Sequence, residues 1–161
     1  MNREERRKRL EELLKERKMK ENKLEAERRI AEMLALFPDQ ANVEILDDKE
    51  SDRVENEMTE VFPFAWYGRI DWNQWSNKMI IANEDIADIP AIISSLNIDN
   101  AIPVYLIVGI YKYPLAKTSL PAVLDNIEEV MSMGADQYIY CPLSKYVIEF
   151  SHDDIITLGW L

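Results

Sequence analysis

Apolar positions are sparse and helically spaced at the start of the chain, and become dense and strand-like only later. From Arg3 to Glu32 the residues are nearly all Arg, Lys, Glu and Leu without Gly or Pro, which predicts one long helix. Leu10, Leu13 and Leu14 make one apolar turn, while Ala26, Ile30, Met33 and Phe37 make a second stripe at spacings of four, three and four. Arg17, Lys20, Glu21 and Lys23 separate the two, so no heptad is sustained. The pattern predicts docking from about Leu24 to Phe37, a projecting first part, and a stop at Pro38.

A strand is expected at Val43–Leu46, and a solvated polar loop at Asp47–Arg53, which has too little apolar surface to pack. The aromatic and β-branched run from Thr59 to Trp72 reads as two short strands or one broken strand, with a bend at Gly68. Lys78–Ala82 is a further strand. Two helices then start with proline in their first turn, one at Asp88-Ile89-Pro90 and one at Ser119-Leu120-Pro121, with Asp88 and Ser119 as caps. In the second, Leu120, Val123, Leu124, Ile127, Val130 and Met131 share a face.

Between these helices the almost continuous apolar run Pro103–Ile110 predicts a central strand. Tyr138–Cys141, Tyr146–Phe150 and Ile155–Leu158 follow as strands joined by loops of hairpin length. The expected architecture is α/β (α+β): a charged N-terminal helix over residues 1–37, then an acidic domain over 38–161. That domain holds a mixed sheet with two packed helices and a C-terminal antiparallel meander.

Charge sharpens this division. Residues 1–37 carry 12 Lys and Arg against 9 Asp and Glu, whereas residues 38–161 carry 7 against 21. A body this acidic repels a sugar–phosphate backbone, so direct nucleic-acid binding is not expected, and a basic protein partner is. The interleaved Glu4, Glu5, Glu11 and Glu12 neutralise much of the basic cluster Arg3–Arg9. One cysteine permits no intramolecular disulfide, and the charged start and the lack of a long apolar run argue against a signal peptide or a membrane span. These features fit the cytoplasm.

No motif names a reaction, a cofactor or a metal. His152 lies in a predicted turn beside Asp153 and Asp154, and Cys141 lies in an apolar strand, where an inert buried thiol is expected. The four glycines form no phosphate-binding loop. An enzyme would have to assemble its site from separated groups such as Glu149, His152, Asp153 and tyrosines. Trp66, Tyr67, Trp72 and Trp75 fall within ten positions, and Trp75, among Asn73, Gln74, Ser76 and Asn77, is the one expected outside.

The segment from about Phe62 to the end resembles bacterial toxin-immunity proteins of contact-dependent growth inhibition and related polymorphic toxins. The residues that carry the likeness are Trp66–Trp72, the two proline-started helices, Tyr146–Phe150 and Ile155–Trp160. The long charged helix departs from such a compact domain. The resemblance implies a small cytosolic protein that binds one toxin domain, its cognate partner, and stops it without catalysis. Against a basic, nuclease-type toxin the acidic side chains would stand where phosphates go. The residues expected to bind are Asp47, Asp48, Glu50, Asp52, Glu84, Asp85, Asp88, Asp153 and Asp154, with Tyr67 and Trp75 as aromatic anchors. The competing reading is an adaptor or assembly subunit whose N-terminal helix pairs with another chain.

Overall fold

The computed structural model describes residues 1–39, 42–134 and 136–161. Helix α1 runs from Arg3 to Ala35, opened by a capping box in which Asn2 and Glu5 bond each other's backbone amides. Residues 1–24 of the chain are exposed, and Met33, Leu36 and Phe37 enter the core. Ala26 and Ile30 of the expected stripe stay at the surface, so docking is confined to the end of the helix.

Seven strands follow: β1 (Glu44–Ile45), β2 (Lys78–Ile81), β3 (Val104–Val108), β4 (Ala116–Thr118), β5 (Gln137–Cys141), β6 (Tyr146–Phe150) and β7 (Ile156–Trp160). They form one sheet in the order β1-β4-β3-β5-β6-β7-β2. The α/β class, the long first helix and the terminal meander are as expected. Strand direction differs from expectation: every neighbouring pair is antiparallel, so the sheet is not mixed. The middle position belongs to β5, with β3 beside it and the unanticipated β4 on β3's other side.

Alternating side chains give the sheet two apolar faces. Ile139, Cys141, Ile148 and Leu158 pack with the end of α1, with α3 (Ile89–Ser95), and with α4 (Leu120–Asp125) and α5 (Ile127–Met131). The single helix expected after Ser119 is thus two short ones, broken at Asn126. Ser119 caps as expected, accepting from the Ala122 amide at 3.2 Å, whereas Asp88 makes no side-chain cap because a 3-10 segment, Asn83–Asp88, already leads into α3. Cys141 is fully buried.

The other face carries Ile107, Tyr138, Tyr140 and Val147. Its cover corrects two expectations. The polar stretch after Asp47 is not a loop but the start of α2 (Asp48–Val61), with Asp47 accepting from the Glu50 amide at 2.8 Å. Acidic residues in that first turn suit the helix dipole, and Ser51, Val54, Glu55 and Met58 form its buried stripe. After α2 the aromatic run forms a tight turn rather than strands: Phe64 bridges Ile70, the Ala65 amide donates to Arg69 O at 2.7 Å, and Gly68 takes φ +84°. Trp72–Gln74 is a single 3-10 turn.

Candidate partner-binding rim

Register decides which loops share an end of the sheet. Val108 lies opposite Gln137, Gln137 opposite Phe150, Phe150 opposite Ile156, and Ile156 opposite Ile81. On the other side Leu106 lies opposite Ala116, and Ala116 opposite Ile45. Residues 46–52, 109–115, 151–155 and 82–85 therefore leave or enter the sheet at one rim. Seven strands at about 4.8 Å make this rim roughly 30 Å long.

This end collects most of the acidic residues expected to bind. Asp47, Asp48 and Asp52 stand at the start of α2, Glu84 and Asp85 follow β2, and Asp153 and Asp154 form the β6–β7 turn; all are exposed. Glu50 points its charge at Arg53, 3.1 Å away on the same helix. Asp88 lies at the far end of the 3-10 segment, away from the strand ends.

The aromatic turn is tied to the same rim through Arg69. Its guanidinium sits 3.3 Å from Asp153, 3.7 Å from Asp136 and 4.0 Å from Glu149. Asp136 in turn accepts from the His152 amide at 3.1 Å and lies 3.2 Å from His152 Nδ1. The expected simple solvated turn at His152 is thus one arm of an ion-pair cluster. Glu149, buried beneath it, accepts from the Ile70 amide at 3.2 Å and from Trp72 Nε1 at 3.0 Å. Burial raises the Glu149 pKa, while the bonds from Trp72 and Ile70 and the charge of Arg69 oppose that rise. Glu149, His152 and Asp153 do come together, as a reaction would require, but they are engaged in holding Arg69, Trp72 and the turn.

At the tip of that turn Trp66 is 95% exposed and meets Tyr67 edge-on at 5.6 Å, with Tyr67 also exposed. Trp75 is elsewhere. It packs on Phe62 at 4.9 Å and donates to Trp160 O at 3.2 Å, at the opposite end of the sheet, so its expected exposure is wrong. Its polar neighbours face solvent while the ring turns inward to satisfy its N–H. Trp66 has no signal in its immediate neighbours that separates it from Trp72; only the Ala65–Arg69 turn does. Asp136 and Arg69 were likewise missed, because their partners are distant in sequence.

Among the described residues, no three His, Cys, Asp or Glu side chains are grouped as a metal ion would need. No described helix is long and apolar enough to cross a membrane. A family model described as CdiI immunity protein EcoliA0-like matches residues 38–159. The chain belongs to that family. It is an immunity protein of bacterial contact-dependent growth inhibition, whose partner is a cognate toxin protein. The match begins after α1 and takes in the acidic rim and all seven strands but for Trp160 at the end of β7. No individual curated protein matches the chain.

Proposed function

We propose that this CdiI-family protein neutralises its toxin in the cytoplasm by laying the acidic rim over a basic, nuclease-type groove, with Trp66 and Tyr67 as the apolar anchor. The observation that carries the reading is the convergence, on one end of one sheet, of Asp47, Asp48, Asp52, Glu84, Asp85, Asp153 and Asp154 with the exposed aromatic turn. Carboxylates in such a row imitate a phosphate backbone, steer a basic surface to the rim and desolvate well against Arg and Lys. The aromatics supply area at small entropy cost. Inhibition is by occupancy, with no cofactor and no direct nucleic-acid contact.

The test is co-expression with the toxic domain encoded immediately upstream, reading survival and co-purification together. Rescue in a stable complex is the expected result, and the association rate should fall steeply as salt rises, because exposed charges are screened beyond about 8 Å at physiological ionic strength. A rate that does not change with salt would count against the acidic decoy, while rescue without binding would overturn inhibition by occupancy.

A further inference from the structure

Between α1 and α2 lies a groove of about 660 Å³. Its α1 wall carries Glu25 and Arg29, its α2 wall Asp48, Asp52 and Glu55, and its far end Lys112. Glu55 is only 1% exposed. One carboxylate oxygen, Oε2, accepts from the Tyr111 amide at 2.9 Å, but the other, Oε1, is buried without a hydrogen-bond partner among the described residues. A buried acceptor left unmatched is destabilising, and a second carboxylate three positions earlier, Asp52, adds like charge.

The cations already in the groove do not relieve this. Arg29 is held by Glu25 at 3.2 Å. The stem of Lys112 lies so close to Gly109 that a Cβ there would meet its Cδ at 2.8 Å, and its ammonium forms no ion pair among the described residues. Glu25 is itself engaged by Arg29 and by Arg28 at 2.6 Å, which leaves four carboxylates, Asp47, Asp48, Asp52 and Glu55, against Lys112 in the groove.

We propose that this groove is the pocket for a single basic side chain, lysine or arginine, of the toxin. The ammonium or guanidinium enters between α1 and α2, donates to Glu55 Oε1 and is flanked by Asp48 and Asp52. The inference rests on the immunity reading and deepens it, since it names the residue class the rim selects and where it seats. Steering by the exposed rim acts at a distance, whereas a desolvated carboxylate rewards only a donor placed against it.

The occupant carries a signature in protons. The other titratable groups that line the groove with Glu55 are Glu25 and Arg29 from α1, Asp47, Asp48 and Asp52 at the start of α2, and Tyr111, Lys112 and Tyr113 from the β3–β4 loop. Burial, opposed by the Tyr111 amide and aided by Asp52, pushes Glu55 up to about 7. Near neutral pH the free protein thus holds part of a proton there, and an incoming cation expels it.

The experiment is calorimetric titration of the full chain with the purified, catalytically inactivated toxin domain at pH 7, in buffers of different ionisation enthalpy. The wild-type complex should release a measurable fraction of a proton on binding. Glu55→Gln should bind at least tenfold more weakly and release none. Asp48→Asn with Asp52→Asn, at exposed positions that carry no packing, should weaken binding severalfold and gives an affinity reading even where Glu55→Gln does not fold. Proton release that persists in Glu55→Gln, or affinities within twofold of wild type in both variants, would overturn the pocket while leaving immunity intact. Failure of the wild-type chain to bind would overturn the immunity reading, and the pocket's occupant with it.

Discussion

Trp72 Nε1 donates to Glu149 Oε1 at 3.0 Å, joining positions 77 apart in the chain. The indole lies over Gly159, where a Cβ would come within 2.5 Å of the ring, so a glycine in β7 makes the room that lets Trp72 reach Glu149. The same carboxylate receives the Ile70 amide and stands beside Arg69. One buried acid thereby fixes the C-terminal side, Arg69 to Trp72, of the turn that presents Trp66 and Tyr67 at the rim.

Glu149→Ala should therefore act on stability and on the aromatic turn together. It leaves two donors unmatched and a half-buried guanidinium short of one counter-charge, for a loss of about 2–4 kcal/mol. Urea denaturation measures the loss, and amide exchange at Ile70 should accelerate ahead of exchange in the central strands. A loss below about 1 kcal/mol with unchanged exchange at Ile70 would show that the turn holds itself.

Trp66→Ala separates binding from folding. A side chain 95% exposed contributes little to the core, so stability should stay within about 0.5 kcal/mol of wild type. Affinity for the toxin should fall by about 2 kcal/mol or more, close to thirtyfold, if the turn is the anchor of the interface. Equal affinity would move the anchor to another face.

How much of this was legible in the sequence depends on whether a residue's environment is set nearby or far away. Strands β3, β5, β6 and β7, the long first helix and the Ser119 cap follow from local periodicity and turn chemistry, whereas the short β4 does not. Helix α2 was hidden because two members of its buried stripe are polar. Ser51 accepts from the Leu115 amide at 3.1 Å and Glu55 from Tyr111, so the stripe is defined by partners some sixty positions away, in the β3–β4 loop. The exposed carboxylates of the rim were legible singly, yet nothing local shows that Asp47 and Asp153 share an end of the sheet. That follows only from strand register. Trp75 was misplaced for the same reason, since the carbonyl that draws it inward belongs to Trp160.

Truncation tests the role of α1. Removing residues 1–23 deletes only exposed positions and should leave both stability and toxin binding unchanged. Removing residues 1–37 takes Met33, Leu36 and Phe37 out of the core, and at about 2–5 kcal/mol for each large buried side chain the body should unfold. Loss of toxin binding in the shorter truncation, with the fold intact by circular dichroism, would favour the adaptor reading over immunity by the body alone.

Glu55 makes stability depend on pH in a direction opposite to that of a salt-bridged acid. Its native pKa is about 7 against a reference of 4.5, so between these values the folded protein binds more protons than the unfolded chain. Stability is then fully present below about pH 4.5 and is lost as pH rises through 7, by about 3 kcal/mol at most for a shift of this size. Glu149, also raised, contributes with the same sign in every variant that keeps it. Glu55→Gln cannot ionise, so urea denaturation at pH 5 and pH 8 should show a smaller loss across that interval in the variant than in wild type. An identical loss in both proteins would mean that Glu55 is ionised throughout and that its buried oxygen is already matched by a donor. Saturation with the toxin should flatten the wild-type curve in the same way, because a cation held against Oε1 removes the reason for the proton to stay.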